Sequence, residues 1–334
     1  MLKLNPRLSI IIACSRPTDV LKCLDGLSKQ KGQTTFEVII VGNCPIITET
    51  YQRFDLELIN CQDLHANIRR NKGIAVSKAK LIGFLDDDTI PDSHWVEQAR
   101  KLNPTEKLII TGPERPTRTS WKSELAFAVS QNKLTEGLPG HVNQKSKFVS
   151  WTEVPFCNCV IPKSIFEEIG YLATDIPWDM DDFEFCNRAR RIAQFVNIPK
   201  LSVCHDRYPD SITAFIRYKS RLRIRTGEKL VSHPKIYAKI PTVIVTAICP
   251  YLLILTSLII HLITDVSIHI ILSAFIGVYL VIILSQIPVG ISKIGLRSSI
   301  LYVAMIAIIH SITIASVNFG IIKRLVIKLR LFRV

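Results

Sequence analysis

Three consecutive carboxylates, Asp86-Asp87-Asp88, close the apolar run Leu81–Leu85. Adjacent carboxylates repel one another, and burying them unpaired costs several kcal/mol each. At the end of a strand they suit a hard divalent cation that also holds phosphate oxygens. Mg²⁺ or Mn²⁺ there would neutralise a departing diphosphate. The competing reading is a solvated turn whose Asp caps the next helix. The continuous apolar strand directly before the triplet weighs against it.

The elements that must position these carboxylates alternate in type. Leu8–Cys14 is a β-branched run bounded by Ser15-Arg16-Pro17, which predicts a strand ending in a loop. Thr18–Gln30 places apolar residues at 20, 21, 24 and 27, a helical spacing, with Gly32 beyond. Phe36–Val41 predicts a second strand, Asp63–Ser77 a polar helix and Leu81–Leu85 the strand ahead of the triplet. Ser93–Leu102 reads as the next helix, and Lys107–Thr111 as a strand before Gly112-Pro113. Strands alternating with helices imply an α/β fold with a parallel sheet, whose ligands sit at the carboxyl ends of strands. No Gly-x-Gly-x-x-Gly and no Walker loop occurs, so dinucleotide and P-loop readings have no support.

Composition divides the chain. Of 334 residues, 48% are hydrophobic and 21% charged, and the formal net charge is +14. Residues 1–212 carry 27 basic and 26 acidic groups; residues 213–239 carry eight and one. From Pro241 to Val334 a single acid, Asp265, faces seven Lys/Arg. Pro241–Ile263, Ile268–Gly290 and Ser299–Ile322 contain no Asp, Glu, Lys or Arg, and each has 23 or 24 residues. As helix that is roughly 35 Å, enough to cross a ~30 Å hydrocarbon core. Disorder, a disulfide-stapled miniprotein and a purely soluble enzyme are excluded. The basic excess lies outside residues 1–212, which points to anionic lipid head groups and away from nucleic acid. Most of the nine cysteines sit in apolar runs, as buried free thiols do. The run Leu8–Ala13 is too short for a signal h-region, so the first 212 residues are expected on the cytoplasmic side.

Four segments in order resemble the family 2 glycosyltransferases of GT-A fold. They are Leu8–Pro17, Phe36–Val41, Asn67-Ile68-Arg69-Arg70-Asn71-Lys72-Gly73-Ile74-Ala75 and Phe84-Leu85-Asp86-Asp87-Asp88-Thr89-Ile90-Pro91. The last looks like the family's D-x-D motif. Phe156-Cys157-Asn158-Cys159-Val160-Ile161-Pro162 resembles its acceptor-side segment, and Trp178–Arg188 its Glu-Asp-x-Asp-Leu-x-x-Arg motif. There Asp181 stands where Glu is usual and Glu184 where Asp is usual.

The resemblance implies a Rossmann-like, mostly parallel central sheet flanked by helices, followed by an α-helical transmembrane region. It makes Asp88 a metal ligand and places Asp86 at the nucleotide ribose or the metal. It assigns the donor to Ala13, Ser15, Arg16, Arg70, Asn71, Asp86 and Asp87. His205, after Lys200–Val203, is either near the metal and diphosphate or a hydrogen-bonded structural residue. Asp182 becomes the candidate base, since an attacking hydroxyl must lose its proton to a positioned carboxylate. Asn158, Trp178, Asp181 and Arg188 fall on the acceptor side. The plainer reading of Asp179, Asp181, Asp182 and Glu184 is an acidic first turn favoured by its helix dipole, with Arg188 pairing onto it.

Departures from the pattern matter. Gly42-Asn43-Cys44 replaces the acid often found after the second strand, which leaves the nucleotide open. Arg217-Tyr218-Lys219-Ser220-Arg221 stands where processive synthases carry Gln-x-x-Arg-Trp, which favours transfer of a single sugar.

Ile212–Arg225 mixes apolar residues with five basic ones, as an interfacial amphipathic helix does. The positive-inside rule puts residues 213–239 and the Lys293/Arg297 loop in the cytoplasm. Three crossings would then leave the basic tail outside, so one run is expected to lie flat or re-entrant. The third, with His310 and Asn318, is the least hydrophobic and the expected exception.

The expected organisation is a GT-A domain over 1–212, split at 112/113 into nucleotide-sugar and acceptor halves. A basic interfacial segment (213–239), two to three transmembrane helices (240–322) and a basic tail (323–334) follow. The expected activity is inverting, Mg²⁺- or Mn²⁺-assisted transfer to a lipid-linked or other membrane-borne glycan, with membrane lipids as further partners. A polyprenyl-phosphate glycosyltransferase and a non-catalytic membrane-anchored binding module are the alternatives.

Overall fold

The computed structural model describes residues 6–32, 35–47, 51–132, 148–176, 181–237, 241–264, 266–288 and 296–331. The chain divides into two units: residues 1–117 with 139–207, and residues 118–138 with 208–334.

The first unit is built on β1 (Leu8–Cys14), β2 (Glu37–Gly42), β3 (Asp55–Asn60), β4 (Leu81–Asp86), β6 (Leu108–Thr111), β8 (Asn158–Pro162) and β9 (Gln194–Asn197). They form one seven-stranded sheet in the order β3-β2-β1-β4-β8-β6-β9. β1, β2, β3 and β4 run parallel, while β8 is antiparallel to both its neighbours. A strand covered on both faces can be apolar at every position, and β1 and β4 are buried along almost their whole length for that reason. Alternate side chains of β1 enter different cores. Ile10 and Ile12 pack with Val20, Leu24 and Trp95 on one side; Ile11 packs with Phe84, Phe156 and Phe185 on the other.

The chain leaves β1 through α1 (Val20–Ser28) toward β2 and β3, then returns through α2 (Ala66–Val76) to lay β4 against β1. The strand order reverses between β1 and β4, which opens a crevice at their carboxyl ends. Ala13 pairs with Asp86 there. Gly73 lets α2 sit close on β1: a Cβ at this position would lie 2.6 Å from Ile11 Cγ2. A three-stranded sheet, β5 (Thr89–Pro91), β10 (Val203–His205) and β7 (Glu114–Pro116), stands beyond the triplet. α3 (Trp95–Ala99), α5 (Lys163–Ile169) and α6 (Asp181–Ala189), with a 3₁₀ turn at Trp151–Glu153, complete the described helices of this unit.

The second unit is helical: α4 (Trp121–Ser130), α7 (Ile212–Ser232), α8 (Pro234–Tyr237), α9 (Pro241–Thr264), α10 (Ile268–Leu284) and α11 (Leu296–Leu331). α4 lies in sequence inside the expected 113–212 half, yet Leu125 and Val129 pack with Phe215, Tyr302 and Ile306. α7 extends seven residues past the expected Arg225 and is fitted tightly to α11. A Cβ on Gly227 would come 1.9 Å from Val317 O, and one on Gly320 would come 2.0 Å from Ile224 O. Glu228 pairs with Lys323 at 2.6 Å on the same face. Lys219 and Arg223 of α7 are buried, so its basic residues do not all lie on a solvated face.

Among the described residues one helix, Ser299–Ile327, is long and apolar enough to cross a membrane by length and composition alone; Pro250–Thr264 and Ile268–Leu284 are shorter. Of these, the third apolar run gives the longest apolar helix. Its Ser and Thr hydroxyls lower hydropathy without breaking a helix.

Candidate active site

Asp86 ends β4, Asp87 and Asp88 form the turn that follows, and the three carboxylates have different sets of neighbours, with Arg16 shared between Asp87 and Asp88. Asp87 turns inward under the loop after β1. Its Oδ2 accepts from the backbone N–H groups of Ser15 (2.7 Å) and Arg16 (2.8 Å) and from Ser15 Oγ (3.1 Å). Its Oδ1 accepts from Arg16 Nε at 3.0 Å and from a second guanidinium nitrogen. Asp87 therefore builds the Ser15-Arg16 loop and has little left for a ligand.

Asp88 lies between cations: Oδ2 is 2.8 Å from Arg16 Nη1, and Oδ1 is 3.1 Å from His205 Nε2. Burial alone would raise its pKa, but the His205 hydrogen bond and the two positive neighbours outweigh that and hold it at about 2. His205 shows the mirror image. Burial opposes its charge, yet hydrogen bonds to Asp88 and Glu114 lift its pKa to about 9. Asp86 is the most accessible of the three, with 32% of its side chain exposed. Withdrawal from water raises its pKa against the opposing pull of Arg70 and His205.

Arg70 ties the triplet to the second acidic cluster. From the buried face of α2 its Nη2 reaches Asp86 Oδ1 at 3.1 Å, and its Nη1 donates to Asp181 Oδ2. Its guanidinium stands over the Phe156 ring, 5.2 Å from the centroid. The acidic first turn of α6 is thereby fixed beside Asp86. Asp182 follows Asp181 and receives no cation of its own among the described contacts. Burial, followed by the charge of Asp181, raises its pKa to about 8, and Arg70 offsets only part of this.

Other residues expected at the site serve the scaffold. Asn158 is fully buried: Oδ1 accepts from Trp95 Nε1 at 2.7 Å, and Nδ2 donates to Gly112 O (3.0 Å) and Leu201 O (2.8 Å). Within the acceptor/support set expected for it, Asn158 takes the supporting part, with both ends of its amide engaged by the scaffold. Asn71 holds the backbone of Leu172 through both ends of its amide, at 2.8 and 3.1 Å. It braces α2 rather than facing the donor. Arg188 forks onto Glu184 (2.7 Å) and caps the carbonyls of Ile169 (2.6 Å) and Tyr171 (2.9 Å), the plainer role considered for it. Ala13 lies in β1 opposite Asp86. Trp178 and Asp179 fall outside the described residues. Cys14, Cys23, Cys157, Cys159 and Cys186 are free and buried.

Glu114 and Arg207, which no sequence motif marks, adjoin the Asp88–His205 cluster. Glu114 accepts at Oε2 from Arg207 (2.9 Å) and faces His205 Nδ1 at 3.3 Å. A lone carboxylate just after the Lys107–Thr111 strand was the available signal, by the rule that singled out the triplet.

Asp86, Asp88 and His205 can hold a divalent cation, since one ligand atom from each lies within 4.8 Å of the others. Two carboxylates and an imidazole suit Mn²⁺, and with retained waters Mg²⁺.

With this geometry in view, comparison with known proteins is informative. The glycosyl transferase family 2 model matches residues 9–170. A hyaluronan synthase of Pasteurella multocida is 30% identical over 142 residues, which span 40% of this chain but 14% of that protein. A mannosyltransferase from Pyrobaculum calidifontis, solved in complex with GDP-Man and Mn²⁺, aligns with a TM-score of 0.56. That alignment has 12% identity over 95% of this chain and 88% of the other, so the likeness is one of fold. The shared architecture is GT-A-like, a mostly parallel central sheet with flanking helices.

Proposed function

We propose that this chain, a member of glycosyl transferase family 2 through its residues 9–170, transfers a single sugar with inversion from a nucleotide-sugar donor to a membrane-borne hydroxyl. A lipid-linked glycan is the acceptor class we favour. The observation that carries this reading is the Asp86–Arg70–Asp181 bridge, which sets the carboxylate triplet beside the acidic turn that carries the high-pKa Asp182. Metal-assisted transfer to a hydroxyl uses both, one for the departing diphosphate and one for the incoming hydroxyl.

In this reading the Ser15-Arg16 loop, shaped by Asp87, receives the nucleotide beside Ala13 and Asp86. Arg16, with 48% of its side chain exposed, can reach a donor phosphate. Asp86, Asp88 and His205 hold Mn²⁺ or Mg²⁺, which when bound supplies Lewis acidity to the leaving diphosphate. Asp182 takes the acceptor proton, and its pKa of about 8 suits a base working near neutral pH. The apolar helix Ser299–Ile327 and the basic segments around it support a membrane-attached protein with its first unit on the cytoplasmic face.

The experiment is a screen of UDP-, GDP-, CMP- and dTDP-sugars with Mn²⁺ and detergent-purified protein, with Asp88→Asn in parallel. Metal-dependent hydrolysis of one donor, lost in the variant, is the expected result. No turnover together with no calorimetric binding of any nucleotide would leave a binding module. A polyprenyl-phosphate acceptor is already ionised, so with it Asp182→Asn would retain most activity.

A further inference from the structure

His205 stands at the end of β10 between two carboxylates. Its Nε2 lies 3.1 Å from Asp88 Oδ1 and its Nδ1 3.3 Å from Glu114 Oε2. Glu114 is 5% exposed. It also meets Arg207 Nη2 at 2.9 Å, and the Cys157 thiol donates to its Oε1 at 3.2 Å. The placement comes from sheet register: β7 and β10 run parallel, pairing Val203 with Glu114 and His205 with Pro116. A carboxylate at one imidazole nitrogen keeps the N–H there and leaves the other nitrogen to coordinate.

We propose that Glu114 is a positioning residue of the metal site, holding His205 by Nδ1 so that Nε2 faces the cation bound by Asp86 and Asp88. The proposal rests on the metal-assisted reading of that site. Arg207 balances the buried charge of Glu114, which keeps the carboxylate as an acceptor for the ring and away from the cation. Such outer partners of a ligating histidine fix its tautomer and rotation, and their loss typically weakens metal affinity 10–100-fold.

The test uses the full chain in detergent with Mn²⁺ alone, following the free-ion signal by electron paramagnetic resonance, and melting curves to confirm folding. Glu114→Gln is expected to weaken Mn²⁺ binding roughly 10–100-fold. In a His205→Ala background the same change is expected to cost nothing further. Wild-type affinity in Glu114→Gln, or an undiminished loss without the imidazole, overturns the proposal. Should Glu114→Gln not fold, Glu114→Asp keeps the charge while withdrawing the carboxylate by one methylene. A weakened site there supports the proposal, and wild-type affinity overturns it. Asp88→Asn separates the two levels. If it abolishes Mn²⁺ binding while His205→Ala leaves binding intact, only the proposal fails. If Asp88→Asn binds Mn²⁺ normally, the metal reading of the triplet fails as well.

Discussion

Asp88 and Asp182 are the same side chain in the same unit, both largely withdrawn from water, and they titrate on opposite sides of neutrality. Asp88 is held at about 2 because Arg16 arrives from the loop after β1 and His205 from β10. Asp182 is raised to about 8 by burial and then by the charge of Asp181, while Arg70, engaged by Asp181 and Asp86, offsets only part of this. Burial pushes both upward; the number of cations that the fold delivers decides the outcome. On the proposed function the difference divides the work: a carboxylate ionised throughout the physiological range suits a ligand, and one that exchanges its proton near neutrality suits a base.

The comparison breaks most visibly at Asp88. If Asp88 is the proposed metal ligand, Asp88→Asn is expected to cost several kcal/mol, or roughly 10³-fold or more in kcat/KM. Steady-state assays over a Mn²⁺ titration check it, and added metal is expected to recover only part of the loss. Asp182→Asn is expected to lower kcat by at least about 10² with little change in donor KM, because a base acts on the acceptor. An equal loss in both variants at all metal concentrations would mean that the two carboxylates do not divide the labour.

A residue that serves neither cluster sharpens the contrast. Asn158→Ala strands Trp95 Nε1 and frees two carbonyls that Nδ2 now holds. Each unsatisfied buried group costs about 1–3 kcal/mol. The expected result is a lowered melting temperature with kcat and KM nearly unchanged in the protein that stays folded.

This separation also marks how far the sequence could be read. β1 and β4 are legible because parallel strands buried on both faces are apolar throughout, and the triplet stands out against that background. β3, Asp55–Asn60, escaped because it lies at the sheet edge, partly exposed, with charges at alternate positions. The type of each site residue was legible, but its partner was not. Arg70 and Asn71 are neighbours on α2, yet a rotation of about 100° per residue sends one to Asp86 and the other to the backbone of Leu172. Asp87 and Asp88 differ likewise because they form the turn between β4 and β5, which sends one to the Ser15-Arg16 backbone and the other to His205. Glu114 was hidden because its strand has three residues and no periodicity to display.

The smallest predicted effect tests the electrostatic cause itself. Asp182 loses its proton as pH rises through about 8, so kcat/KM is expected to climb with pH to that point and then level off. After burial, the charge of Asp181 is the next cause of that high value. Asp181→Asn removes the charge and keeps an acceptor oxygen for Arg70. With one negative neighbour fewer, the ionised form of Asp182 is less disfavoured, so the rising limb should move to lower pH, by about one unit or less. The shift should appear in kcat/KM profiles while the Mn²⁺ affinity set by Asp86, Asp88 and His205 stays where it was. A limb that moved upward, or metal affinity that fell in step, would show that the two clusters titrate as one. The division of labour between Asp88 and Asp182 would then have to be replaced by a single coupled network centred on Arg70.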